Sequence, residues 1–153
     1  MGEDYSMNNY ILPTMNEIER RILIFAIQDF SFFREFFDRF GNYKFTTRVR
    51  KVLYETLKKS RDGSDLDRLV LRKKNHTEFC KFLKVYKIYK KSTASDNREG
   101  LIKEFGDVLR HSRNIGLIKD YVTALKSGEY EKADTIIQPG FDVVSDGVVA
   151  AVS

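Results

Sequence analysis

The sequence predicts an all-α fold in which a compact helical globular part is followed by a long helical hairpin. Only two prolines, Pro13 and Pro139, occur in the 153 residues, and the stretch between them contains no helix breaker stronger than glycine. Apolar residues recur every three or four positions along most of this stretch, which is the period of an amphipathic helix rather than of a strand. No run of about 18 apolar residues occurs, so no membrane-spanning helix is predicted.

The apolar spacing and the capping residues predict seven helices. In chain order they are a helix that begins at Met15 or Asn16, one over 31–40, one capped by Thr46 or Thr47, a short one capped by Ser64 or Asp65, and helices over 77–90, 98–126 and 129–137. Glu17 and Glu19 fall in the first turn of the first helix, where the helix macrodipole favours acidic side chains. Because they are two residues apart, they point to different sides of the helix and do not form a carboxylate pair.

The predicted elements divide the chain into four parts. They are a disordered N-terminus over 1–12, a helical globular subdomain over 13–91, a helical hairpin or linker-helix region over 97–137, and a flexible tail over 138–153. The tail is rich in valine, alanine, glycine and serine and has no helical period, which is typical of a linker or a chain end.

Charge is distributed unevenly along the chain. Residues 44–119 contain 21 basic and 9 acidic side chains, a balance of +12, whereas the remainder contains 6 basic and 13 acidic ones, a balance of −7. A basic central region suits nucleic acid or an acidic protein partner, but it is also what the solvated surface of lysine-rich helices looks like. Within it, four lysines that alternate with aromatic and aliphatic residues mark a candidate surface for a partner or for nucleic acid: Lys81, Lys84, Lys87 and Lys90.

Residue patterns that support catalysis are missing from the sequence. There is no GxxxxGK[ST] phosphate loop, no GxGxxG and no HExxH, and His76 and His111 are interpreted as loop or surface residues. Cys80, the single cysteine, lies between Phe79 and Phe82, so a buried structural thiol is expected rather than a nucleophile. The sequence therefore predicts a protein without catalytic residues, cofactor or metal, and a lone cysteine favours the reducing cytoplasm.

Six phenylalanines lie within a single predicted helix: Phe30, Phe32, Phe33, Phe36, Phe37 and Phe40. They cover both sides of that helix, so either the helix is central to the fold or one side of it meets another chain. Central packing is the favoured interpretation.

Several collinear segments resemble the N-terminal domain of DnaB-type replicative DNA helicases, in particular those of phages and plasmids. Residues 13–23 resemble the opening of that family, where a proline is followed by a Glu-x-Glu pair and a Val/Ile-Leu step, and residues 45–54 resemble a segment in which a phenylalanine precedes a basic residue and an Ile-Phe pair. Gly63 with Asp67, residues 92–94 and residues 105–110 match further positions in order. Ile24 and Phe25 stand where the family has small glycines.

The resemblance implies a non-catalytic collar domain, joined in the family to a RecA-like ATPase and present in the cytoplasm of a bacterium or a phage-infected host. Such domains pair through a helical hairpin and contact primase or a helicase loader. On that basis the predicted homodimer contact consists of Phe105, Val108, Ile115 and Ile118, with Arg110 and Arg113 at its rim. The ATPase motifs are not in this sequence. The chain is therefore expected to be either a part of a larger helicase or a free-standing relative. The alternatives are a basic DNA-binding replication accessory protein and an unrelated helical adaptor.

Overall fold

The computed structural model describes residues 11–94 and 96–139, together with the backbone of 141–142 and 151–152. The described chain is all-α, as predicted. Its helices are α1 (Met15–Gln28), α2 (Phe30–Phe40), α3 (Arg48–Lys59), α4 (Leu66–Leu71), α5 (Phe79–Lys91), α6 (Arg98–Lys126) and α7 (Tyr130–Ile137). Two short strands, β1 (Phe141–Asp142) and β2 (Ala151–Val152), pair antiparallel. The predicted disordered N-terminus over 1–12 and flexible tail over 138–153 lie largely outside the described residues.

Capping side chains set several helix boundaries. Asp29 precedes α2, and its carboxylate accepts hydrogen bonds from the backbone N–H groups of Ser31 and Phe32 at 3.1 and 3.3 Å. Thr47 precedes α3, and its hydroxyl accepts from the N–H of Arg50 at 3.2 Å, as expected for a predicted N-cap. These caps pair N–H groups of the first turn that have no partner within the helix.

The end of α6 is a Schellman motif. The N–H of Glu129 bonds to the carbonyl of Ala124 at 2.9 Å, the N–H of Gly128 bonds to that of Leu125 at 3.1 Å, and Gly128 has a φ of +74°. Glycine reaches this left-handed conformation without the steric cost of a Cβ. The chain therefore leaves the 29-residue α6 in a tight turn and enters α7, the element order that a helical hairpin requires.

The chain divides into two compact units. The first comprises residues 16–101 and contains α2 to α5, nearly all of α1 and the start of α6. The second contains the rest of α6 from Ile102, then α7, with the described segment 11–15. The boundary lies a few residues beyond the predicted division at residues 91–97.

Aromatic packing forms the core of the first unit. Phe36 is fully buried, with its ring centroid 6.2 Å from both Phe45 and Tyr54, and Phe32 stacks on Phe25 at 4.3 Å. The central packing predicted for the phenylalanine-rich helix is confirmed, although Phe37 remains 38% exposed. Helix α3 also packs against α4 and α5, which fixes the surfaces that these two helices present to solvent.

Candidate interaction surfaces

A buried ion pair joins α1 to α3 in the first unit. The carboxylate of Glu19 is fully buried, and its Oε1 lies 2.9 Å from Nη1 of Arg50. Thr46 donates to Glu19 through its hydroxyl at 2.8 Å and through its backbone N–H at 3.1 Å, and the Tyr43 hydroxyl donates at 2.5 Å. Both carboxylate oxygens are thus held by several donors.

The partners of Arg50 complete this polar cluster. Its Nη1 donates to the backbone carbonyl of Asn16 at 3.0 Å, and its Nε donates to the Tyr89 hydroxyl at 3.3 Å. Burial lowers the pKa of Arg50, but the hydrogen bonds with Tyr89 and Glu19 raise it by more, so the guanidinium stays charged. Burial, and next the hydrogen bond and charge of Glu19, raise the pKa of Tyr43 well above its ordinary value.

The geometry of this cluster fits a structural role rather than that of a reactive site. A fully buried carboxylate that accepts four hydrogen bonds has no lone pair directed at a substrate, and a buried charge of this kind must be paired to be tolerated. The sequence analysis assigned Glu19 to the helix dipole and to the Glu-x-Glu pair of the family resemblance, but it did not predict the contact with Arg50. The available signal was the position of Glu19 between Ile18 and Ile22, within the apolar side of α1.

The second unit exposes an apolar stripe on α6. Ile115, Ile118, Val122 and Leu125 are between 38% and 50% exposed. Their 3-4-3 spacing places them within about 80° of the helix circumference, since each residue advances by about 100°. Four large aliphatic side chains on one side of a helix form a continuous apolar strip, which is the usual appearance of a surface that another helix covers.

The residues predicted for the dimer contact are divided between the interior and the surface. Phe105 and Val108 are buried within the chain, whereas Ile115 and Ile118 belong to the exposed stripe. Arg110 is 8% exposed and its Nη2 lies 2.8 Å from Asp107 on its own helix, and Arg113 is exposed. The exposed apolar stripe therefore lies on the C-terminal half of α6. It includes Val122 and Leu125, which were not part of the predicted contact.

The four lysines of α5 do not form a single row. A spacing of three residues turns the direction by about 60° at each step, so four lysines cover about half of the helix. Lys81 lines a pocket of about 380 Å³ together with Arg48 and Arg50. Lys87 and Lys90 line a different groove, between α4 and α5, of about 640 Å³, and Lys84 is exposed on the outer side.

The expectation of a buried Cys80 was wrong. The thiol is exposed, because Cys80 lies about 160° around α5 from the buried Phe82 and on the same side as Lys84 and Lys87. Adjacency in sequence to two phenylalanines does not bury a residue of a surface helix. His76 uses its Nδ1 to accept from the N–H of Glu78 at 3.3 Å, and His111 is exposed on α6.

The described residues contain neither a metal-binding cluster nor a membrane-spanning helix, and the chain has no match among known proteins. Within residues 11–94 and 96–139, no group of three or more histidine, cysteine, aspartate or glutamate side chains is arranged to hold a metal ion. None of the helices in the described ranges combines the length and apolarity needed to cross a bilayer. No protein-family model matches the chain, and no curated protein and no solved structure matches it either.

Proposed function

We propose that this chain is a non-catalytic assembly domain, comparable in role to the collar domain of a replicative DNA helicase, that pairs with a second copy and docks a further protein. The observation that carries the proposal is the exposed apolar stripe of α6. In a monomer, Ile115, Ile118, Val122 and Leu125 stay in contact with water, and pairing with a second helix removes that cost.

The buried polar cluster connects the two segments on which the helicase resemblance mainly depends. The two segments that most resemble the family, 13–23 and 45–54, are brought together by the bond between Glu19 and Arg50. Glu19 belongs to the Glu-x-Glu pair, and Arg50 is one of the three basic residues that follow Phe45 in the second segment. The contact gives a physical reason for an acidic residue in the first segment and a basic residue in the second.

Self-association tests the assembly role. We expect sedimentation of the whole chain at tens of micromolar to give a dimer, and Ile118→Asp to give a monomer, because an aspartate in an apolar seam loses its hydration without gaining a partner. Asp120→Asn is the matched control. Asp120 is exposed and lies about 160° around α6 from Ile118, so its substitution leaves the stripe intact. A strictly monomeric wild type, or an Ile118→Asp variant that dimerises with equal affinity, contradicts the proposal.

The second candidate function is direct DNA binding, favoured by the basic pocket between α3 and α5. Arg48 and Lys81 line it together with one acid, Glu78, while Arg50, which also lines it, is already paired with Glu19. Binding through phosphate contacts falls steeply as salt rises, by about 0.9 of a log unit in affinity per contact for each log unit of salt. This candidate predicts tight, salt-sensitive DNA binding that Arg48→Glu and Lys81→Glu abolish. If the chain does not bind DNA even at low salt, this candidate function is wrong.

A further inference from the structure

The groove between α4 and α5 has an apolar floor that is open to solvent. Val70, Leu71, Leu83 and Tyr86 line it, and its volume of about 640 Å³ lies in the usual range of ligand pockets. Val70 and Tyr86 are buried, so the open part of the floor belongs to the two leucines. Leu71 is 57% exposed. An exposed leucine beside a partly exposed Leu83 offers two anchor points for apolar side chains of another molecule.

The rim of this groove is positive. Lys87, Lys90 and Lys91 line it, with Asp67 as the acidic member. The Asp67 carboxylate is already occupied, since Nζ of Lys90 lies 2.7 and 2.8 Å from its two oxygens and the Tyr86 hydroxyl donates to it at 2.5 Å. The exposed Lys87 and Lys91 thus give the groove its net charge.

We infer that this groove binds an acidic amphipathic helix of a partner protein. Leucine-like side chains on one side of that helix contact Leu71 and Leu83, while its carboxylates face Lys87 and Lys91. The inference deepens the docking role within the proposed function by naming the surface and the chemistry of the partner. It does not depend on self-association through α6, so either idea can fail without the other.

The lining disfavours the two other occupants. Single-stranded nucleic acid binds by stacking its bases on exposed aromatic rings, but Tyr86 is 4% exposed and the open part of the floor is aliphatic. A second copy meeting this groove across a two-fold axis would bring Lys87 and Lys91 against the same residues of its partner. Like charges at close range disfavour that arrangement.

Fluorescence anisotropy with the whole protein tests the inference. The probe is a labelled synthetic helical peptide with leucines on one side and glutamates flanking them. A peptide of the same composition whose leucines do not share a side is its control, and a single-stranded oligonucleotide of equal charge is the competing ligand. We expect only the patterned peptide to bind, because the groove selects an apolar side flanked by acids.

Matched variants locate the binding surface. Leu71→Ser and Lys87→Glu are expected to weaken peptide binding by about tenfold or more. Ile88→Ser and Lys84→Glu alter exposed residues of α5 that do not line the groove, and they should change affinity by less than about twofold. All four positions are exposed, so circular dichroism should show unchanged helix content.

Three outcomes would overturn the inference. The first is no binding of the patterned peptide at hundreds of micromolar, and the second is equal binding of the control peptide. The third is binding of the oligonucleotide in place of the peptide, with Lys84→Glu as damaging as Lys87→Glu, which would identify the lysines of α5 as a nucleic-acid surface.

Discussion

Two regions depart in opposite ways from the rule that charged side chains lie outside and apolar ones inside. One region is the contact between α1 and α3, and the other is the C-terminal half of α6. Glu19 and Arg50 are charged and buried, whereas Ile118 and its stripe neighbours are apolar and exposed. The buried charges are satisfied within their own unit by side-chain and backbone partners. The stripe is not covered within the described chain. The charged pair is thus part of the interior of its unit, whereas the uncovered stripe is the observation behind the proposed self-association.

The largest expected effect comes from breaking the buried pair. Glu19→Gln keeps the side-chain shape but leaves the charge of Arg50 buried without a counter-ion, which is expected to lower the free energy of unfolding by about 3–5 kcal/mol. Urea unfolding followed by circular dichroism measures this. Glu55→Gln is the matched control, because Glu55 forms an exposed i,i+3 pair with Lys58 and its loss should cost less than about 1 kcal/mol. Equal losses in the two variants would show that the buried pair is not special.

A smaller loss is expected at the turn that ends α6. Gly128 has a φ of +74°, where an alanine is strained although no atom lies within 4 Å of its Cβ position. Gly128→Ala should therefore destabilise the second unit by about 1–2 kcal/mol. Thermal unfolding monitored at the helical circular dichroism band measures the shift, and an unchanged melting temperature would rule out the Schellman turn as the end of α6.

The N-cap of α2 is expected to contribute about 1 kcal/mol at neutral pH. Partial burial raises the pKa of Asp29, but hydrogen bonds from Ser31 and Phe32 and the charge of Arg98 lower it by more, so the folded pKa is below its ordinary value. A carboxyl group whose pKa is lower in the folded than in the unfolded protein stabilises the fold at pH values above the unfolded pKa. This contribution declines as the pH falls below about 4. The deficit of Asp29→Ala relative to wild type should thus shrink between pH 7 and pH 3. Asp29→Asn, which retains a capping oxygen, should cost less.

The smallest effect is a gain on α6. No atom lies within 4 Å of the Cβ position of Gly116, and Gly116 faces away from the centre of the stripe by more than about 100°. Gly116→Ala should stabilise the helix by about 0.5–1 kcal/mol without altering the mass in solution. A gain in stability that also changes self-association would mean that the interface extends around the helix beyond the stripe.

The sequence predicted elements better than contacts. The bounds of α6 were predicted at 98–126, as observed, because Asn97 and Gly128 interrupt the chain at its two ends. The ion pair of Glu19 and Arg50 joins positions 31 residues apart. A contact between residues so far apart in sequence cannot be predicted from local residue patterns. The predicted dimer contact put Phe105 and Val108 on one surface with Ile115 and Ile118. Which of these residues the fold buries depends on tertiary packing, which the apolar period of a helix does not reveal.

The central claim, that the stripe of α6 is where two copies meet, is tested most directly by amide hydrogen exchange at two protein concentrations. Dimer formation should slow exchange in peptides covering 111–126 as the concentration rises from about one to about a hundred micromolar, while peptides from α3 keep the same rates. The same experiment on Ile118→Asp should show no concentration dependence. Slower exchange in another segment of a dimeric wild type, with residues 111–126 unaffected, would contradict the claim.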